Sequence, residues 1–178
     1  NESKAPNPNR FMYDSIFILI FQLERIAKLL HSCGFIIFAP MENSKPYREF
    51  GDFLRELFPY KVQKISINAG FTCPNRDGTK GFGGCTYCNN QTFSPEYCHT
   101  EKSVTEQLEE GVRFFSRKYP EMKYLAYFQA YTNTYDELDS LISKYEEALA
   151  CPDVVGLIVG TRPDCMPNTL LDYFSTLS

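Results

Sequence analysis

The chain has 178 residues, 43% of them apolar and 22% charged, with a formal charge of −4 and a pI near 5.3. That length gives room for one domain of ordinary size. The acidic balance provides no global attraction for nucleic acid, and residues 41–100, with seven Lys/Arg against six Asp/Glu, hold no local basic patch.

The first forty residues differ in character from residues 41–178. Residues 1–10 are polar and proline-bearing, 16–21 form a short continuous apolar run, and 22–30 continue with helical spacing. The apolar run is far below the roughly 18–20 residues that a membrane span needs. Glu2 and Asp14 offset the few basic residues, and no clear cleavage site comes after them, so a signal peptide is not expected. Residues 1–40 are therefore read as an N-terminal extension outside the chemistry, with a surface-lying amphipathic helix as the alternative. Residues 41–178 form the domain proper.

From residue 61 the pattern alternates. Residues 61–68 read as a strand, ended by Gly70 and a cysteine-bearing loop. A helix starts at Ser103, with Glu106 completing a capping box, and carries Val104, Leu108, Val112 and Phe115 on one face up to Tyr119-Pro120. Residues 123–129 read as a second strand and 136–150 as a second helix with Leu138, Leu141, Ile142, Tyr145, Ala148 and Leu149 on its apolar face. Residues 154–160 are almost continuously apolar, as in a parallel strand buried on both faces. Pro167 or Asn168 opens a third helix. Three successive strand–helix units imply an α/β fold with a parallel sheet and right-handed crossovers. A complete eight-unit barrel takes about 250 residues, so three units make either a small open sheet or a partial (β/α) barrel, and the last strand, lacking a neighbour on one side, favours the partial barrel.

Seven cysteines, an odd number, point to a reducing, cytoplasmic setting and to ligation over disulfides. Cys33, Cys151 and Cys165 are isolated and read as ordinary thiols, mostly buried. Cys73, Cys85 and Cys88 share one glycine-rich loop with spacing Cys-x11-Cys-x2-Cys. Four thiolates saturate a [4Fe–4S] cluster or a structural zinc; three leave one position open. Gly78, Gly81, Gly83 and Gly84 would let the loop curl and turn N–H groups toward sulfur.

In parallel strand–helix folds the binding rim lies at the carboxyl ends of the strands, and the unusual polar residues fall there. Tyr87 either stacks on a planar ligand or packs into the core. Gln129, Thr132 and Asn133 come after the second strand, where they bind a polar ligand or cap the next helix. Arg162 and Asp164 come after the third, and Arg162 either pairs with a ligand carboxylate or with Asp164.

Four stretches, Asn68-Ala-Gly-Phe-Thr-Cys-Pro-Asn-Arg-Asp-Gly78, Gly84-Cys-Thr-Tyr-Cys-Asn-Asn90, Tyr127-Phe-Gln-Ala-Tyr-Thr-Asn-Thr134 and Gly160-Thr-Arg-Pro-Asp-Cys165, resemble the radical S-adenosylmethionine superfamily. More narrowly they resemble its YhcC-type members, relatives of the catalytic subunit of Elongator. The resemblance implies a radical SAM barrel core, here truncated. It implies that Cys73, Cys85 and Cys88 each bind one iron of a [4Fe–4S] cluster whose fourth iron binds S-adenosylmethionine. Tyr87 then lies near the adenine, and Gln129, Thr132, Asn133, Arg162 and Asp164 near the rest of that cofactor. It also implies an electron donor such as flavodoxin or ferredoxin, and no membrane. A tRNA base is a conceivable substrate on the same ground, but the charge balance gives it no support.

Two other readings compete. Zinc held by Cys73, Cys85, Cys88 and either Cys98 or His99 would make a structural or interaction module. A thiol–disulfide site at Cys85-x2-Cys88 would need a helix start after it, and Asn89-Asn90 with Ser94-Pro95 beyond them does not supply one.

Overall fold

The β-branched and aromatic runs of the sequence form one sheet flanked by helices in a computed structural model that describes residues 17–22, 47–117 and 119–177. In chain order the elements are β1 (Phe17–Gln22), α1 (Phe50–Leu57), β2 (Val62–Ile67), α2 (Val104–Ser116), β3 (Lys123–Phe128), α3 (Leu138–Leu149), β4 (Val154–Thr161) and α4 (Asn168–Thr176). Every strand and helix expected from residue 61 onward is present, with ends within three residues of the expected ones. Cys33 and the helical reading of 23–30 lie outside the described residues. No described helix is long and apolar enough to cross a membrane.

The strand order is β1-β4-β3-β2. β2, β3 and β4 are parallel, with Val62 opposite Lys123, Ile67 opposite Phe128, and Phe128 opposite Val159. The register slips once, between Tyr124 and Leu125. β4 has a neighbour on the side where none was expected. β1 runs antiparallel to it, with Phe17 opposite Thr161 and Gln22 opposite Gly156. A buried strand edge left unpaired strands a row of backbone donors and acceptors, and β1 satisfies them.

Side chains alternate across the pleat. Tyr124, Ala126 and Phe128 of β3, with Leu157 and Val159 of β4, join Ile65 and Ile67 of β2 in the main core under α2, α3 and α4. Leu108, Leu141, Tyr145, Leu170 and Phe174 enter that core from the helices. Each such side chain stabilises the fold by about 1.5–3 kcal/mol through burial alone. The opposite pleat positions, Leu125 and Ile158, meet Leu54 and Phe58 in a smaller cluster below α1. α1 carries Phe50, Phe53, Leu54 and Leu57 at helical spacing and is an addition to the elements expected from the sequence. A helix on each face of a mostly parallel sheet leaves the strand ends as the place for a site.

α2 begins with the expected capping box: the Glu106 amide donates to Ser103 Oγ (3.1 Å) and the Ser103 amide to Glu106 Oε2 (2.7 Å). It lies close to β2 because residue 111 is glycine. A Cβ there would stand 2.4 Å from Ile65 Cγ2.

Candidate functional site

β2 ends at Ile67, and the chain leaves the sheet under tight control. Gln107 of α2 is fully buried. Its Oε1 accepts from the Asn68 amide (2.9 Å), and its Nε2 donates to the carbonyls of Asn68 (3.0 Å) and Lys102 (3.1 Å). One side-chain amide thus fixes the root of the cysteine loop to the start of α2.

The loop itself is a compact turn. The Cys73 carbonyl accepts the amides of Arg76 (2.8 Å) and Asp77 (3.2 Å), the Pro74 carbonyl those of Lys80 (2.8 Å) and Gly81 (3.2 Å), and the Asn75 carbonyl that of Gly84 (2.9 Å). The Gly78 amide goes to the Gly81 carbonyl (3.0 Å). The amides of Gly78, Gly81 and Gly84 are therefore committed to loop carbonyls and not to sulfur, contrary to expectation. A side-chain donor does reach sulfur: Asn75 Nδ2 is 3.1 Å from Cys85 Sγ.

Cys73, Cys85 and Cys88 line one cavity of about 310 Å³, completed by Tyr131 and Thr132 after β3 and by Arg162 and Asp164 after β4. All three strand ends contribute, as a rim built at the carboxyl ends of parallel strands requires. Among the described residues no three His, Cys, Asp or Glu side chains are gathered tightly enough to grip a single metal ion. A four-iron cluster asks for something different, three thiolates each on its own iron around a shared space. Thiols on separate stretches of one cavity wall, with an amide donor on one of them, fit that demand. A larger cavity, about 840 Å³ between the 95–97 segment and the end of α2, contains none of these groups. Size and chemistry disagree here, and the chemistry sits in the smaller space.

The other expected residues divide. Tyr87 is 83% exposed and so is not a core residue. Its phenol hydrogen-bonds to Cys85, and that bond together with the sulfur's charge holds it above its ordinary pKa. Thr132 is buried at the cavity wall, its amide on the Thr72 carbonyl (3.1 Å). Asn133 is fully buried and clamps the end of β4: its amide (3.1 Å) and Nδ2 (2.7 Å) both donate to the Gly160 carbonyl. Its Oδ1 is buried without a partner. Neither residue caps α3, whose N-cap is Glu137. Gln129 and Asn133 stand outside the cavity wall.

Arg162 donates twice to Asp164, from Nε (2.9 Å) and Nη2 (2.8 Å), and Lys80 of the cysteine loop binds the same carboxylate. Hydrogen bonds from these two cations hold the Asp164 carboxyl well below the usual carboxylate range, and the Asp164 carboxylate raises Arg162 in turn. The structural alternative for Arg162, pairing with Asp164, is what the geometry shows.

Two more contacts hold the loop to the rim: Thr79 Oγ1 lies 2.9 Å from the Tyr135 hydroxyl, and the Arg76 guanidinium sits 4.5 Å over the Tyr131 ring. Arg76, Lys80, Tyr131 and Gln107 were missed in the sequence. Gln107 had a visible signal, a polar residue three after Val104 on the apolar face of α2.

Cys98 and His99 do not join the three loop thiols at the cavity. Cys98 is 5% exposed, and burial pushes its thiol up to about 11. His99 is exposed.

The chain is similar to Protein YhcC of Escherichia coli (strain K12). The two are 45% identical over 132 residues, which is 74% of this chain and 41% of that protein. It is 39% identical over 140 residues to the uncharacterized protein YtqA of Bacillus subtilis (strain 168), covering 78% of this chain and 44% of YtqA. To the uncharacterized protein MJ0486 of Methanocaldococcus jannaschii it is 30% identical over 131 residues, covering 72% of this chain and 39% of the other. The chain thus spans about two fifths of the length of these relatives. No family model matches the chain. No solved structure matches it either.

Proposed function

We propose that this chain is part of a radical S-adenosylmethionine enzyme, its three strand–helix units forming part of a (β/α) barrel of that type. Cys73, Cys85 and Cys88 would hold a [4Fe–4S] cluster, and the cavity beside them would take S-adenosylmethionine. The observation that carries the reading is the meeting of those three thiols, and no other cysteine among the described residues, on a cavity whose remaining walls come from the next two strand ends. Held by those cysteines, the reduced cluster would supply the single electron needed for reductive cleavage of the sulfonium–C5′ bond, the chemistry that would initiate hydrogen abstraction from substrate.

The chain's own residues do the holding. Asn75 Nδ2 donates to Cys85 Sγ. Gln107 fixes the loop's root. Lys80, Asp164 and Arg162 tie the loop to the end of β4, and Asn133 keeps that end in register with the segment after β3. Rigid support of this kind positions a cofactor and keeps its surroundings dry. Zinc ligation through Cys98 or His99 has no observation in its favour, since neither residue lines the cavity that the three loop thiols share.

Anaerobic reconstitution with iron and sulfide tests the assignment. The expected result is a brown chromophore with about four irons per chain, lost on replacing any of the three loop cysteines by serine and kept in Cys98→Ala/His99→Ala. A colourless protein holding zinc, with metal lost in that double variant, would overturn it.

A further inference from the structure

Two guanidinium groups face the cavity, and their surroundings differ. Arg162 makes a two-point contact with Asp164, whose carboxylate Lys80 also holds. One edge of its fork, Nε and Nη2, is in use. Arg76 has no carboxylate partner among the described residues. Its guanidinium lies over the Tyr131 ring, 4.5 Å from the centroid. Stacking on a π face satisfies the plane of a guanidinium and leaves its edge N–H groups, five donors in a planar fork, directed outward.

The backbone is arranged around that stack. Tyr131 has φ of 62°, a left-handed conformation rare for a residue with a side chain. Its successors prevent relaxation: the Thr132 amide is tied to Thr72 and the Asn133 amide to Gly160. Gly84 clears the path for the arginine stem. A Cβ there would stand 3.1 Å from Arg76 Nη1 and 3.3 Å from its Cγ. The result is an unmatched cation, held against a ring, at the wall that also carries Cys85 and Tyr131.

We infer that Arg76, stacked on Tyr131, is the residue that binds the carboxylate of the amino-acid end of the ligand in this cavity, while Arg162 is a positioning residue committed to Asp164. This inference rests on the proposed function, in which that ligand is S-adenosylmethionine. A planar carboxylate matches the fork of a guanidinium edge with two parallel hydrogen bonds. A bond of this strength is worth about 10- to 100-fold in affinity.

The test compares binding of S-adenosylmethionine and of its decarboxylated analogue by the 178-residue chain, reconstituted under anaerobic conditions, using equilibrium dialysis without turnover. The unaltered chain should favour the carboxylate-bearing compound by about 10-fold or more. In Arg76→Gln that preference should vanish with decarboxylated-analogue binding unchanged, and Arg162→Gln should keep it. Preference retained in Arg76→Gln and lost in Arg162→Gln would overturn the assignment of Arg76 alone. Binding of neither compound by the unaltered, iron-loaded chain would overturn the proposed function, and this inference with it.

Discussion

Gln107→Leu removes a side chain that touches no ligand but fixes the base of the cysteine loop. Leucine is close to glutamine in volume, so the change leaves little cavity and isolates the hydrogen bonds. Three are lost: Asn68 N–H to Oε1, and Nε2 to the carbonyls of Asn68 and Lys102. At about 1 kcal/mol each, the loss is about 3 kcal/mol. Asn68 and Lys102 are only partly buried, so water recovers some of their bonding and keeps the cost from rising further. For a domain of this size, each kcal/mol moves Tm by about 2–4 °C, so Tm should fall by roughly 6–12 °C. Thermal unfolding measured by far-ultraviolet circular dichroism checks it. Iron content after reconstitution in the cold, where the variant remains folded, should fall as well, because Asn68 is the first residue after β2 on the way into the loop. A Tm within about 2 °C of the parent, with iron content unchanged, would refute the idea that Gln107 anchors the site.

Gly111→Ala should destabilise by about 1–3 kcal/mol in urea unfolding, despite alanine's better helix propensity, because its Cβ would be driven into Ile65 Cγ2. Cys98 should resist alkylation in the native chain at mildly alkaline pH while Cys88 reacts, since burial raises the Cys98 thiol to about 11 and Cys88 is exposed; mass mapping of iodoacetamide adducts reads both. Asp164 has a folded-state pKa below its unfolded value, so its contribution to stability is present above about pH 4 and is lost as pH falls further. Unfolding between about pH 5 and pH 2 should accordingly show a weaker acid dependence in Asp164→Asn than in the parent, and the two curves should converge at the acid end.

The parallel strands were legible because β2 carries β-branched residues among polar ones and β3 and β4 are largely apolar runs, each bounded by turn signals, and the helices because Val104–Leu108 and Leu138–Leu141–Tyr145 recur at helical spacing. β1 was not. An isolated apolar run of six residues has the same period content as a piece of buried helix, and only the unpaired edge of β4 decides between them. α1 carried a readable stripe at residues 50, 53, 54 and 57 but lies before the alternating pattern that organised the rest. At the rim, the cysteines announced themselves by spacing, whereas the roles of the charged residues depended on distances no sequence contains. Arg162 sits two residues from Asp164, and the two form a local pair. Arg76 and Tyr131, far apart in the chain, meet only because two strand ends adjoin. Asn133 reads equally well as a cap or a ligand contact; it is not the cap of α3, and the Gly160 carbonyl takes both its backbone and side-chain amides.

The central claim is that three loop thiolates leave one iron open to S-adenosylmethionine. Electron paramagnetic resonance of the anaerobically reconstituted, dithionite-reduced chain, recorded with and without S-adenosylmethionine, tests it most directly. The predicted result is a [4Fe–4S]⁺ signal whose g values shift when the compound is added, and which is absent in Cys73→Ser. A four-iron signal that is identical with and without the compound would contradict the claim.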